Sequence, residues 1–345
     1  MELRKIQSTA GGATHIISLP RSWIQRHKLD QSDKIGIIER KDGILFILPA
    51  PHKKKKVESC IDAGGKDLNF LLRMIISEYV RGADIIKFSR ATFSWKDKKE
   101  IREFIHNAII GLDLSEHSAE FEIHSIIDVY ELDIEKIVMR LYDLVCWMFG
   151  SSFTAIESRN EDLFIDIIGR DIEVDRLTLL ASRQMHLAAK NPEFAKKIGI
   201  SGYEALYYKV LINDLESAGD CSVSISEAYL KLAQSKIPTD LISSLSALFA
   251  DLKGNLENVI DSFTYRNLNK ANDVIEECMR LSKYDLSASG KSLFITDKRI
   301  TQDSLIVGSF AIVLENLAQI NNLTRSIAEI VIDRGHSDAR STQQS

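Results

Sequence analysis

The chain has 345 residues, of which 45% are hydrophobic and 27% charged, a balance typical of a folded globular protein that excludes a disordered chain. Its four cysteines form no Cys-x-x-Cys pair, which argues against a zinc ribbon or a disulfide scaffold. Residues 1–56 carry 12 Lys and Arg against 5 Asp and Glu, whereas the remainder carries 32 against 44. A basic segment ahead of an acidic body is typical of a nucleic-acid-binding module, and a solvated basic surface is the alternative.

Residues 1–50 are predicted to form short strands around one short helix. Pro20 pre-sets the backbone angle that begins a helix, and a Lys-Asp-Gly turn at 41–43 joins two β-rich runs as a hairpin. The predicted elements are a strand at 14–19, a helix at 22–29, and strands at 34–39 and 44–48. Pro49 and Pro51 end this unit, and residues 53–56 form a lysine-rich linker.

Residues 57–127 alternate between β-rich and helical patterns. The predicted order is a strand at 57–62, a helix at 67–81, a strand at 84–89, a helix at 96–110, a short strand at 112–116 and a strand at 120–127. Strands that alternate with helices of this length indicate a small α/β layer, which would serve as a ferredoxin-like connector.

From residue 128 onward the chain is predicted to be almost entirely helical, because apolar residues recur at i, i+3 and i+4. The first helix begins near residue 134, and further helices are predicted near 160–190, 203–235, 239–265, 268–284 and 302–334. Leu163–Ile168 is echoed 107 residues later and Ser224–Glu227 is echoed 102 residues later, which indicates a tandem repeat. The sequence therefore predicts two three-helix bundles, at 128–235 and 236–335, followed by a disordered tail at 336–345.

No membrane insertion is expected. The longest uncharged apolar stretch, Leu305–Leu314, is about half the length of a membrane-spanning helix. The N-terminus lacks the apolar region of a secretory signal, so a cytoplasmic location is expected.

Two pairs of carboxylates have the spacing of one helical face. Asp171 and Asp175 are four residues apart, as are Glu216 and Asp220 on the next predicted helix. If these helices face each other, four carboxylates converge, as in metal-binding helical bundles, and oxygen ligands suit hard or borderline cations. The alternative is that they are surface carboxylates paired with two neighbouring arginines, Arg170 and Arg176.

These segments resemble the PhoU family. Leu215–Glu227 is similar to the LERIxDHxxNIAE-type helix of PhoU domains, and Arg170–Leu177 is similar to the preceding RDxEVDxL-type helix. PhoU proteins are tandem three-helix bundles that regulate phosphate uptake and bind metal, often iron, through such pairs. The resemblance covers about residues 128–335. It implies an ion (Fe, Mn, Mg or Zn) held by Asp171, Asp175, Glu216 and Asp220, and as partners inorganic phosphate and a phosphate-transporter ATPase or sensor kinase.

The second bundle departs from this pattern. By the repeat offsets, the four carboxylates are replaced there by Cys278, Ser282, Ala318 and Asn322. One metal site per chain is therefore expected, in the first bundle.

The basic N-terminus resembles the AbrB/MazE/SpoVT swapped-hairpin domain. The matching residues are Arg4–Ile6, Gly12, Ile16–Pro20, Trp23, Leu29 and Asp33–Ile35, with Ser32 in place of the usual Gly. The resemblance implies an intertwined homodimer that binds DNA, a combination that archaeal PhoU relatives carry. Four cations are suited to phosphate contacts, namely Arg4, Lys5, Arg21 and Arg26. Five polar residues flank the Gly11-Gly12 turn and are candidates for base or backbone contacts, namely Gln7, Ser8, Thr9, Thr14 and His15.

The predicted fold is thus a multidomain α+β chain: a swapped-hairpin β domain, a small α/β segment and two PhoU-like bundles. No nucleophile–base pair can be nominated, so no enzymatic activity is predicted. The leading interpretation is a DNA-binding regulator of phosphate homeostasis. The alternative is an adaptor that inhibits a phosphate ABC transporter and uses its N-terminal domain only to dimerise. A carboxylate-bridged metalloenzyme is disfavoured because Glu-x-x-His pairs are absent from residues 130–335.

Overall fold

The computed structural model describes residues 2–9, 11, 13–39, 43–49, 56–89, 93–117, 120–232, 239–283 and 304–342. The chain divides into two compact units, residues 1–55 and 56–345. The first boundary lies in the predicted linker, whereas the α/β layer and both bundles, predicted as three domains, pack as one unit. The predicted turn at 41–42 and the linker up to residue 55 lie outside the described residues.

The first unit consists of two short hairpins and one helix. Its described elements are β1 (Gln7–Ser8), β2 (His15–Ile16), α1 (Arg21–His27), β3 (Ile35–Glu39) and β4 (Leu45–Pro49). β1 pairs with β2 and β3 with β4, both antiparallel. Pro20 stands at the N-cap with φ −61°, and Lys28 ends the helix in the left-handed conformation with φ 52°. The strand predicted at 14–19 is shorter than expected.

The first unit buries little apolar surface by itself. Among its described residues Leu29 is the one buried hydrophobic side chain, at 9% exposure. The large hydrophobic residues left exposed are Leu3, Ile6, Ile16, Ile17, Ile35, Ile37, Ile44 and Leu45. A unit of about 50 residues with so small a core is marginal as a monomer.

The second unit begins with the α/β layer. Its elements are β5 (Glu58–Asp62), α2 (Leu68–Arg81), β6 (Ile85–Ser89), α3 (Trp95–Ala108), β7 (Leu112–His117) and β8 (Glu120–Ser125). The sheet order is β5-β6-β8-β7, and only β5 and β6 run parallel. Alternate strand residues such as Ile86, Phe88 and Phe121 form one core with residues of α2 and α3. The predicted α/β layer is therefore present, including the short strand near 112.

Seven further helices are described. They are α4 (Ile134–Ser158), α5 (Glu161–Lys190), α6 (Pro192–Lys197), α7 (Glu204–Leu230), α8 (Thr239–Tyr265), α9 (Leu268–Lys283) and α10 (Ser304–Thr342). The six long helices match those predicted, whereas the short α6, which Asn191 caps, was not predicted. α4, α5 and α7 form the first bundle, and α8, α9 and α10 form the second.

The two bundles share one hydrophobic core. Phe149 of α4 stacks on Phe249 of α8 with ring centroids 5.1 Å apart, and Tyr229 of α7 meets Phe310 of α10 at 5.7 Å. α10 packs against α7 as well as against α8 and α9. The helical body is thus continuous across the repeat boundary.

The C-terminus differs from the sequence prediction. α10 continues to Thr342, so most of the tail predicted to be disordered from residue 336 is helical. No proline interrupts this stretch, and Ala339 and Arg340 are good helix formers. Ser304–Gly335 of this helix is also long and apolar enough to cross a membrane by length and composition. Part of it is buried in the shared core, so this property is weak evidence for insertion.

A buried arginine joins the α/β layer to the first bundle. Arg183 of α5 is 1% exposed and donates to the carbonyl oxygens of Tyr79 and Ala83 at 2.6 and 2.7 Å. It also donates to Asp84 Oδ1 at 3.1 Å, and its guanidinium lies 4.9 Å from the centre of the Tyr79 ring. These contacts fix α5 to the end of α2 and the start of β6.

Candidate metal centre

Helices α5 and α7 run antiparallel and carry all four predicted metal ligands. Lys209 of α7 donates to Ser182 of α5 at 2.8 Å, and Gly219 of α7 lies against Val174 of α5. This register sets Asp175 at the level of Glu216 and Asp171 at the level of Asp220.

Gly219 permits the close approach of the two helices. A Cβ atom at this position would lie 3.3 Å from Val174 Cγ1 and 3.7 Å from Val145 Cγ2. Ala218 and Ser222 beside it are also small and buried, and the Ser222 hydroxyl bonds back to the Ala218 carbonyl oxygen at 3.0 Å. The small residues therefore bring the backbone beside Asp220 close to that beside Asp175.

The four carboxylates influence one another electrostatically. Burial, together with the charges of Asp175 and Asp220, raises the pKa of Asp171 to about 6. Burial and the charge of Asp220 raise the pKa of Asp175. Burial also raises the pKa of Glu216, helped by the other three carboxylates, and burial raises that of Asp220. The two helices thus direct both pairs into one shared groove.

Neither Arg170 nor Arg176, the partners considered in the alternative interpretation, forms an ion pair with these four carboxylates among the described residues. Arg170 pairs with Asp166 at 3.4 Å and stacks 4.3 Å from the centre of the Trp147 ring. Arg176 makes no ion pair with the described residues, and its Nε is buried without a hydrogen-bond partner. Asp171 Oδ1 is likewise buried without a partner.

The oxygens of the four carboxylates are of the type that binds hard or borderline cations. In this structure, however, they do not meet at a single point. In the described part of the chain, no three Asp, Glu, His or Cys side chains lie close enough together to hold a single ion. Asp175 and Asp220 are exposed, whereas Asp171 and Glu216 are half-buried, so the groove opens to solvent. Carboxylate side chains can turn about their own torsions toward a shared ion without moving either helix.

The same segment is the one that a family model covers. Residues 138–229 match the PhoU domain. These residues include all four carboxylates of the groove. No curated protein matches the chain in sequence.

Two solved PhoU structures are similar to the helical body. PhoU from Pseudomonas aeruginosa is 15% identical, with a TM-score of 0.51, over 58% of this chain and 93% of that protein. The phosphate transport system regulatory protein PhoU from Streptococcus pneumoniae is 16% identical, with a TM-score of 0.48, over 58% of this chain and 91% of that protein. The Pseudomonas match supports a PhoU-like fold. The AbrB-like assignment of residues 1–50 stays a prediction.

The second bundle places neutral groups at the matching contact. Cys278 of α9 is fully buried. Asn321 of α10 donates to the Cys278 carbonyl oxygen at 2.9 Å and to Ser282 Oγ at 3.0 Å. By the repeat offset of 102 residues, Asn321 occupies the position of Gly219. A polar side chain thus occupies the position at which glycine allows close helix packing in the first bundle.

The nine predicted DNA-binding residues all lie in the first unit and are all exposed. Five of them cluster at the first hairpin: Ser8 pairs with His15, their side chains lie 3.2 Å apart, and Gln7, Thr9 and Thr14 are adjacent. Arg4 contacts Glu2 and Ser18. Arg21 and Arg26 are on α1, and Lys5 precedes β1. The hairpin thus brings the polar candidates together, whereas the α1 arginines form a separate group.

Sequence reasoning missed the Arg183–Asp84 pair. The available signal was Arg183 itself, a charged residue among apolar residues on the core-facing side of its helix. Such a charge needs a buried partner. Its partners lie about 100 residues away, at the end of α2 and the start of β6. No local pattern identifies them.

Proposed function

We propose that this protein regulates phosphate uptake by coupling a metal-binding, PhoU-like body to a DNA-binding N-terminal dimer. The proposal is supported by the groove of four carboxylates, which form no ion pair with the described residues and lie inside the segment that matches the PhoU domain. The carboxylates of this groove raise one another's pKa values through charge repulsion, and a bound cation would relieve that repulsion.

In this proposal Asp171, Asp175, Glu216 and Asp220 hold an iron, manganese, magnesium or zinc ion. When bound, the ion supplies positive charge that can attract inorganic phosphate. The protein contributes the oxygen ligands, and the Gly219 contact keeps the two helices in register. Phosphate binding or contact with a transporter ATPase or sensor kinase is then the sensing step.

The metal part is tested by elemental analysis of the purified full chain. The wild type should carry metal at one site, and an Asp171→Asn, Asp220→Asn double variant should drop to background while staying folded. The matched control is Asp166→Asn, Glu173→Gln, which removes two other carboxylates of α5. Unchanged metal content in the first variant, or equal loss in the control, would refute the site.

The DNA part is supported by the charge of the first unit and its resemblance to AbrB-like domains. Lys and Arg that contact phosphates release counterions, so affinity falls steeply with salt. Replacing Arg4, Lys5 and Arg21 together by Gln should reduce the slope of log K against log salt by about 3. Replacing Lys99, Lys136 and Lys196, which lie on the second unit, should leave the slope unchanged.

The adaptor without DNA binding remains the second candidate. It is favoured by the exposed isoleucines and leucines of the first unit, which a second copy would cover whether or not DNA binds. Light scattering should show a dimer in both cases. A dimer without salt-dependent DNA binding selects the adaptor, and a monomer at micromolar concentration contradicts both uses of the first unit.

A further inference from the structure

The groove between α5 and α7 continues past its four carboxylates into a neutral and basic part. Ser182 of α5 and Lys209 of α7 form the contact that sets the register of the two helices. The same helix faces carry Thr178, four residues before Ser182, and Asn213, four residues after Lys209. In this antiparallel register Thr178 lies at the level of Asn213, about one turn from Glu216. We call Lys209, Asn213 and Thr178 the basic end of the groove.

Lys209 is a half-buried cation without a carboxylate partner. Its Nζ donates to Ser182 Oγ and to Asn213 Oδ1, both at 2.8 Å, and it forms no ion pair with the described residues. Burial lowers the pKa of Lys209, and the charge of Glu216 partly offsets this effect. A charge that is partly removed from water is costly unless an opposite charge approaches it. Lys209 therefore presents a positive charge that can attract an anion into the groove.

Two further side chains supply hydrogen-bonding groups at the same level. Thr178 Oγ1 is buried and has no hydrogen-bond partner among the described residues, which is a state that carries an energetic cost. Asn213 is exposed, and its amide oxygen accepts from Lys209, whereas its amide nitrogen makes no hydrogen bond within the described chain. The Thr178 hydroxyl and the Asn213 amide can therefore both donate to the oxygens of a ligand beside Lys209.

We propose that the basic end of the groove is the subsite that holds inorganic phosphate, an inference that rests on the proposed metal site. Lys209 supplies the charge, and Thr178 and Asn213 donate hydrogen bonds to phosphate oxygens. Asn213, which Lys209 Nζ reaches, is three residues or about 4.5 Å along the helix from Glu216. One phosphate can bridge such a distance, with Lys209 on one side and the carboxylates, once a cation neutralises them, on the other. Phosphate then needs both ends of the groove, whereas the metal ion needs only the acidic end.

Arg176 is the rival cation for an anion in this region. Its Nε is buried without a hydrogen-bond partner, whereas Arg170 and Arg183 are engaged with other residues. Arg176 directly follows Asp175, so it lies about 100° round the helix from the face that lines the groove. Lys209 lies on the groove face itself, and the helical positions therefore favour Lys209 as the anion contact.

The test measures binding of radiolabelled inorganic phosphate to the full chain as purified, by equilibrium dialysis, with metal content determined in the same samples. Lys209→Met should weaken phosphate binding at least about tenfold and leave the metal content unchanged. Thr178→Val, which keeps the shape and removes the hydroxyl, should weaken it about threefold. Lys253→Met is the matched control, because Lys253 is a partly exposed lysine of α8 that pairs with Glu257, and its phosphate binding should equal that of the wild type.

A second variant keeps the test decisive if Lys209→Met does not fold. Asn213→Asp, at an exposed position, gives Lys209 a carboxylate partner and should weaken phosphate binding at least about tenfold. Unchanged binding by a folded Lys209→Met or Asn213→Asp variant, or an equal loss in Lys253→Met, would overturn the subsite. A loss in Arg176→Met with none in Lys209→Met would do the same and assign the anion to Arg176.

The metal measurement separates failure of the subsite from failure of the metal site. A wild-type chain that carries metal and binds no phosphate refutes the subsite alone. A wild-type chain without metal refutes the metal site, and the subsite then stands only if phosphate still binds and its binding depends on Lys209. A chain that binds neither metal nor phosphate refutes both.

Discussion

In the first bundle, Gly219 lets α7 lie directly on Val174 of α5, and the carboxylates beside this contact form no ion pair with the described residues. In the second bundle, Asn321 occupies the matching position and bonds α10 to α9 through Cys278 and Ser282. The contact in the first bundle leaves carboxylate oxygens facing a groove, whereas the contact in the second bundle pairs its polar groups with one another by hydrogen bonds. Two copies of one helical repeat can therefore differ, with a candidate binding site in one and a purely structural contact in the other.

The largest expected effect concerns the attachment that the first bundle makes to the α/β layer. Arg183→Met removes one partner of a buried ion pair and leaves two carbonyl oxygens without their donor. We expect a loss of about 3 kcal/mol in unfolding free energy. Urea denaturation measures it. Arg170→Met, which removes a half-exposed arginine stacked on Trp147, should cost less than about 1 kcal/mol. Equal losses would contradict a special role for Arg183.

The glycine contact gives the next effect. Gly219→Leu should destabilise the protein by about 1–3 kcal/mol, because the added atoms collide with Val174 and Val145. Gly254 of α8 is the control, since nothing lies within 4 Å of its Cβ position. Gly254→Leu should be neutral or stabilising by up to about 1 kcal/mol, because leucine favours a helix more than glycine does. A lower melting temperature for Gly219→Leu together with an unchanged or higher one for Gly254→Leu would confirm the close helix approach at Gly219.

Removing the asparagine contact of the second bundle should have a smaller effect on stability than removing Arg183. Asn321→Ala removes two hydrogen bonds between α9 and α10 and should cost about 2 kcal/mol. The metal content of the Asn321→Ala variant should equal that of the wild type. If the metal content falls with this substitution, the two bundles are not chemically distinct in the way described.

The smallest effect concerns the junction between the bundles. Glu204 of α7 accepts from Arg334 of α10 and from Arg266, both at 3.0 Å. Its backbone hydrogen bond from Ser201 and these arginines outweigh burial and lower its pKa below 4.5. Because the folded pKa is below the unfolded value, its stabilisation is present above about pH 4.5 and is lost as the pH falls through the folded pKa. Glu204→Gln should flatten the dependence of the unfolding free energy on pH in that acidic range. Near pH 7 the slope of this dependence should stay unchanged.

The sequence predicted the elements better than their contacts. The 3.6-residue periodicity located the long helices to within a few residues, for example 160–190 against Glu161–Lys190. The i,i+4 carboxylates marked the groove because local spacing sets which residues share a helical face. The Arg183 anchor and the shared core of the bundles depend on residues far apart in the chain, which periodicity does not relate. α6 was missed because six residues are too few to show a period.

The final helix sets the order in which the molecule can mature during synthesis. α10 supplies core residues to both bundles, yet it follows the other described helices in the chain and leaves the ribosome after them. At about 5–20 residues per second, the first unit emerges tens of seconds before α10 is complete. Truncated chains therefore lack one wall of the common core, so nascent bundles expose apolar surface that proteases and chaperones recognise. Only a chain translated through α10 can carry a finished helical body.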